Sequence, residues 1–64
     1  MDHFQSALDW LVLLHAKPGW TEHVWLRAMR LDDQELYAGM WASLESKVGP
    51  APASAVAYRQ KVRR

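Results

Sequence analysis

The chain has 64 residues, no cysteine and a formal net charge of +1, so it can form one small domain without disulfides or thiolate zinc sites. Half of its residues are hydrophobic, which excludes a disordered chain. A domain of this size buries only about 60% of the surface that its unfolded chain exposes, so its stability depends on close packing or on a partner chain.

The first predicted helix covers about residues 3–17. Asp2 and Gln5 have the spacing of a capping box at its start, and Pro18 and Gly19 predict a turn after its end. One helical face carries apolar residues at intervals of three and four, as a core-facing helix requires. The expected core residues of this helix are Phe4, Leu8, Leu11 and Leu14.

The same helix is apolar well beyond one stripe, because Trp10, Val12 and Leu13 add to its core face. A helix that is apolar over most of its circumference must be covered on more than one side. Trp20 follows in the turn and is a further candidate for exposure. These four residues are therefore the predicted protein interface, and they favour self-association or binding to one protein partner.

The second predicted helix covers about residues 22–31, with Thr21 as its expected cap and Glu22 in its first turn. Its apolar stripe is the next part of the expected core and consists of Val24, Trp25, Ala28 and Met29. The opposite side carries His23, Arg27 and Arg30.

The third predicted helix covers about residues 33–48. Asp32 and Glu35 have capping-box spacing, and Leu31 and Leu36 are spaced for a hydrophobic staple. Gly49 followed by proline predicts its end. Its expected core residues are Leu36, Met40, Trp41 and Leu44.

Residues 50–64 start with a Pro-Ala-Pro linker and are predicted to lie outside the helical domain of residues 1–49. Ala55, Tyr58 and Val62 share one helical face, but a frayed terminus agrees with the sequence almost equally well. The predicted fold is therefore all-α, a small three-helix bundle followed by either a short fourth helix or a basic C-terminal tail.

Catalytic and metal-binding chemistry have little support. No serine or threonine lies in the glycine-flanked turn of a nucleophile elbow, and three short helices leave little room for a substrate pocket. His3, His15 and His23 do not have the spacing of helical zinc ligands. The acids of residues 32–35 are better explained by helix capping than by a cation site. We expect no enzyme activity, cofactor, metal or small-molecule substrate.

Nucleic-acid binding is the alternative function, because charge is unevenly distributed. Residues 1–58 carry seven acids against four lysines or arginines, whereas residues 59–64 carry four basic residues and no acid. Acids at the start of the third helix argue against a helix-turn-helix reader. A sequence-blind contact with phosphates remains open beside a purely solubilising terminus. Its candidate residues are Arg27, Arg30, Arg59, Lys61, Arg63 and Arg64.

The location of the protein follows from two negative features of the sequence. The longest apolar run, residues 10–14, is far shorter than the roughly 20 residues of a membrane-spanning helix. The first residues lack the basic start of a signal peptide. We therefore expect a cytoplasmic protein with no membrane partner.

Pro18-Gly19-Trp20, the aromatic segment from His23 to Ala28, and Leu31-Asp32 together resemble short helical proteins of proteobacterial prophages and integrated elements. The resemblance covers roughly residues 10–48. It implies a bacterial cytosolic accessory protein of a mobile element and carries no binding or catalytic residues. The predicted function is a non-enzymatic protein-interaction module that self-associates; the alternative is a nucleic-acid-associated accessory protein that uses the basic tail.

Overall fold

The computed structural model describes residues 2–63, which form four α-helices and one short 3-10 helix. The helices are α1 (His3–His15), α2 (Thr21–Asp32), α3 (Met40–Val48) and α4 (Ala53–Val62), with the 3-10 helix at Glu35–Tyr37. The predicted all-α bundle is confirmed, and of the two alternatives for the C-terminal segment the structure has the fourth helix. None of the helices in residues 2–63 is long and apolar enough to cross a membrane.

The ends of α1 and α2 follow local signals. The Asp2 carboxylate accepts a hydrogen bond from the Gln5 backbone N–H at 3.1 Å, while the Gln5 side chain donates to Asp9 at 2.9 Å. Gly19 adopts a φ of +80° in the turn, a conformation that glycine reaches without a steric penalty. Thr21 is the first residue of α2 and not its cap; Trp20 holds the cap position without a side-chain hydrogen bond.

The predicted start of the third helix is wrong. α2 continues to Asp32, and α3 begins only at Met40, after the 3-10 helix. Gly39 between them has a φ of +89°, which ends any continuous helix at that point. The Asp32 carboxylate does act as a cap, but for a more distant helix start: it accepts from the backbone N–H of Gly39 at 2.9 Å and of Trp41 at 3.0 Å.

The segment between α2 and α3 also overturns one core prediction. Leu36 is 68% exposed, because it lies in the 3-10 helix and not on a helical stripe that faces α1. A staple between Leu31 and Leu36 has no basis in this geometry, since the helix it would begin does not exist.

The core otherwise agrees with the predicted stripes. Phe4 and Leu14 are partly buried and pack against it, and α4 adds one alanine to it. The buried residues are Leu8, Leu11, Val24, Trp25, Ala28, Met29, Met40, Trp41, Leu44 and Ala55.

The helices are arranged around α2, which contacts α1, α3 and α4. The Trp25 and Trp41 rings pack in the centre with their centroids 4.8 Å apart. The Arg59 guanidinium, which comes from α4, lies over the Trp41 ring at 4.4 Å from its centroid. We call this region, where α4 lies, the closed side of α2.

Two polar contacts hold α4 along α2. The Ser54 hydroxyl donates to the Glu22 carboxylate near the start of α2, and Arg63 pairs with Asp33 at 2.8 Å just after its end. Glu22 and Asp33 are eleven residues apart, or about three helical turns, so both face the same direction. The last helix therefore runs along the whole of α2.

Candidate interaction groove between α1 and α2

The other flank of α2 is open. A groove of about 960 Å³ lies between α1 and α2 on the surface of the bundle. Its floor is apolar and consists of Ala7, Leu11, Leu14, Val24 and Leu31. Its edges are exposed and consist of Trp10, Trp20, His23, Arg27 and Arg30.

The groove follows from helical spacing on both walls. On α1, the lining positions 7, 10, 11 and 14 repeat every three or four residues. On the other wall, α2 and the cap residue before it contribute positions 20, 23, 24, 26, 27, 30 and 31. The Pro18-Gly19 turn joins the two walls. Two neighbouring helices thus each turn one partly apolar stripe towards the same space, and no further helix of residues 2–63 fills it.

The exposed apolar side chains of the predicted interface gather beside this groove. Trp10 is 61% exposed, Leu13 is 64% exposed and Trp20 is 46% exposed. Trp10 and Leu13 are three residues apart on α1 and are therefore neighbours on its surface. We call the groove together with Trp10, Leu13 and Trp20 the groove face. Val12, the fourth predicted interface residue, is half-buried and packs against the core instead.

The charged groups at the groove edge are all basic. Arg27 and Arg30 are exposed, and His23 lies beside the Trp20 ring with centroids 6.2 Å apart. No carboxylate lines the groove within residues 2–63. In that same part of the chain the one ion pair joins Arg63 to Asp33, so neither groove arginine has an internal counter-charge.

The predicted nucleic-acid contacts fall into separate groups. Arg27 and Arg30 belong to the groove, which no residue of α4 lines. Arg59 is half-buried over Trp41, with its Nε buried, and Arg63 is paired with an acid. Lys61 is exposed, and Arg64 lies outside the described residues.

The three histidines have different surroundings in the fold. His15 contacts the edge of the Trp25 ring at a centroid distance of 6.2 Å, His23 lies at the groove edge, and His3 begins α1. Across residues 2–63, no three histidine, aspartate or glutamate side chains come together as metal ligands.

Sequence reasoning missed the groove itself. Leu14 was expected in the core, and Leu26 and Leu31 had no assigned surface role, yet all three line the groove. A signal was available in the repeat of Trp20, His23 and Arg27 on one side of α2. That signal identifies a helix face, but only the packing of α1 beside it makes the face concave.

No family model, curated protein or solved structure matches the chain.

Proposed function

We propose that the chain is a non-enzymatic protein-interaction module that self-associates through the groove face. The single observation that carries this proposal is an open groove with an apolar floor and two exposed tryptophans at its edges, next to which Leu13 is also exposed on α1. Contiguous apolar surface of this kind marks interaction sites on small proteins. Leu36, by contrast, is a single exposed leucine, and isolated exposed leucines are ordinary on protein surfaces.

Association through this face is favourable because each exposed tryptophan has a large apolar area to bury. Aromatic side chains bury about 150–250 Å² each, and apolar burial contributes about 25 cal/mol per Å². Covering Trp10 and Trp20 in a complex would remove from water two of the large apolar side chains that the fold leaves exposed. Tryptophan and arginine, which both occur on the groove face, are also the residue types that dominate binding energy at interfaces.

A second copy of the chain fits this surface because protruding and concave parts lie on the same face. Trp10 lines the groove from α1, and the exposed Leu13 follows it three residues later on the outer surface of the same helix. A two-fold dimer uses one patch twice, so it needs a patch that is complementary to itself. Insertion of an apolar helix face into a groove is also a common recognition mode.

The resemblance of residues 10–48 to prophage proteins extends this proposal to a biological setting. In that setting the module serves a bacterial mobile element in the cytoplasm. Phosphate binding by the tail has less support, because Arg59 and Arg63 are occupied by contacts within the fold.

Sedimentation over a concentration series tests self-association, with two exposed leucines as a matched pair. We expect Leu13→Ser to raise the dissociation constant of the wild-type complex at least about tenfold, since loss of one interface anchor costs more than about 1.4 kcal/mol. Leu36→Ser removes a leucine of similar exposure from the 3-10 helix, which does not line the groove, and should leave the constant unchanged.

Two results would contradict the proposal. One is a wild-type chain that sediments as a monomer at every concentration up to the millimolar range. The other is an equal effect of Leu13→Ser and Leu36→Ser. Gel-shift assays with single- and double-stranded probes at low salt test the nucleic-acid alternative, whose affinity should fall steeply as salt is added.

A further inference from the structure

We propose that the groove between α1 and α2 also binds an acidic amphipathic helix of another protein, which displaces the second copy of the chain. This inference rests on the proposed function in using the groove face as an interaction surface, but it names a different occupant. It is carried by the one-sided charge of the groove, which has Arg27 and Arg30 at its edge and no lining carboxylate within residues 2–63.

The basic groups of the groove lie on one side of α2. His23, Arg27 and Arg30 follow one another at intervals of four and three residues, so they are neighbours on the helix surface. Both arginines are exposed and line the groove, about one helical turn apart. A partner that pairs with both therefore needs two carboxylates about one turn apart, which is the spacing of acids three or four residues apart on a helix.

The floor of the groove determines the rest of the partner. All of its side chains are aliphatic, so they offer no hydrogen-bond donor or acceptor to a nucleobase. The apolar stripe of an amphipathic helix, by contrast, packs well on such a floor. The lining positions on the α2 wall extend from residue 20 to residue 31, roughly 16 Å along the helix axis, which is enough for about three turns of a bound helix.

The closed side shows how the chain itself pairs a helix with α2. There Glu22 and Asp33 present carboxylates, and α4 opposes them with the Ser54 hydroxyl and the Arg63 guanidinium. On the groove side, α2 presents guanidinium groups instead. The same electrostatic match therefore requires carboxylates on the helix that lies there.

A second copy of the chain has no helix with paired acids and excess negative charge. α1 contains one acidic residue, α2 and α3 contain equal numbers of acids and of lysines or arginines, and α4 contains only basic residues. The acid of α1, Asp9, lies on the other side of that helix from the lining positions 7, 10, 11 and 14.

Self-association therefore leaves the groove arginines without a counter-charge. When two groove faces meet, Arg27 and Arg30 of both copies enter one interface that has no lining carboxylate. Like charges in one interface reduce its affinity. A partner helix with two acids one turn apart should therefore bind the groove more tightly than a second copy does.

Two labelled peptides test the proposal at concentrations where the chain is monomeric. Each has about 16 residues, with leucine at every third or fourth position and alanine as the filler. One carries glutamates one turn apart along both edges of the leucine stripe, and the other carries lysines at the same positions. In fluorescence anisotropy, the glutamate peptide should bind at least about tenfold more tightly than the lysine peptide.

Charge reversal in the groove should exchange this preference. In the variant with Arg27→Glu and Arg30→Glu, the glutamate peptide should bind at least about tenfold more weakly than to the wild type, and the lysine peptide should bind more tightly. Lys47→Glu with Lys61→Glu changes the net charge equally at exposed positions that do not line the groove. This matched variant should keep both dissociation constants within about threefold of wild type, since distant exposed charges are screened.

Two further measurements separate peptide binding from self-association. Leu13→Ser changes an exposed residue that does not line the groove, so it should weaken self-association and leave binding of the glutamate peptide unchanged. In sedimentation of the wild type, excess unlabelled glutamate peptide should replace the self-associated species with a one-to-one complex. Circular dichroism before each measurement establishes that every variant is folded.

Each result decides between the occupants. A preference for the glutamate peptide that reverses with the groove charges, together with loss of the self-associated species, supports the acidic helix. Equal binding of the two peptides, no saturable binding up to millimolar concentration, or an equal loss in the two double variants overturns it and leaves self-association standing. Binding that leaves the self-associated species intact overturns the displacement.

Two other outcomes concern the alternative partners. Displacement of the glutamate peptide by a single-stranded DNA oligonucleotide at physiological salt would overturn the acidic helix in favour of a nucleic acid. A wild-type chain that stays monomeric at every concentration removes self-association, whereas the peptide preference, measured on the monomer, still decides whether the groove binds an acidic helix.

Discussion

The two sides of α2 are lined by similar side chains, but the fold covers only one of them. On the closed side, Trp41 is 5% exposed, and a guanidinium covers its ring at 4.4 Å. On the groove face, Trp20 is 46% exposed beside His23, with arginines one and two turns further along the helix. Both flanks thus combine tryptophan with basic groups. The difference is the presence of α4, which lies over one flank and not over the other.

This difference shows that aromatic and basic residues on a helix do not by themselves specify a core or an interface. Burial depends on whether another element supplies the opposing surface. The chain covers one flank of α2 with its own last helix, and we propose that a second copy covers the other flank.

The largest effect should come from removing the closed-side tryptophan. Trp41→Ala should lower the free energy of unfolding by about 3–5 kcal/mol, because it removes a buried ring and leaves a cavity beside Trp25. Trp20→Ala should change the stability of the monomer by less than about 1 kcal/mol while weakening self-association. Urea denaturation at a concentration where the chain is monomeric measures both. Similar losses of stability in the two variants would invalidate the contrast between the flanks.

A smaller effect is expected at the junction of α2 and α3. Asp32→Ala should cost about 1–2 kcal/mol, because it removes the acceptor for two backbone N–H groups at the start of α3. Asp33→Ala, the neighbouring acid, loses only an exposed ion pair and should cost no more than about 0.5 kcal/mol.

Amide exchange supplies a site-specific measurement for this junction. In Asp32→Ala, the N–H groups of Gly39 and Trp41 should exchange much faster than in the wild type. Amides in the middle of α1 should exchange faster only by the factor that corresponds to the loss of global stability. Unchanged exchange at both amides would show that the carboxylate does not cap α3.

The smallest effect concerns the cover over Trp41. Arg59→Ala should lower stability by about 1 kcal/mol, because it removes a partly buried cation from the ring face together with the packing of its methylene chain. Lys61→Ala, two residues on and exposed, should have almost no effect. Thermal melts followed by tryptophan fluorescence compare the two. A loss of stability in Lys61→Ala as large as that in Arg59→Ala would show that helix propensity, and not the contact with Trp41, causes the destabilisation.

Local sequence signals predicted the positions of α1 and α2. Asp2 caps α1, the Pro18-Gly19 turn separates the two helices, and the apolar residues at intervals of three and four form most of the core. The third helix was placed too early, because Asp32, Glu35 and the flanking leucines match the pattern of a helix start. Gly39 in a left-handed conformation, together with capping by a carboxylate seven and nine residues away, overrode that local pattern. Such long-range capping leaves no signature in a short window of sequence.

Residue spacing was enough to predict an all-helical chain and the apolar stripes that form its centre, because helical periodicity and turn chemistry act over a few residues. It also named Trp10, Val12, Leu13 and Trp20 as candidates for exposure, and packing against the core half-buried Val12. The position of α4, the burial of Arg59 and the concave shape of the groove were decided by packing between segments distant in sequence. Whether a stripe is covered depends on which other helix lies against it, and that is a property of the assembled bundle.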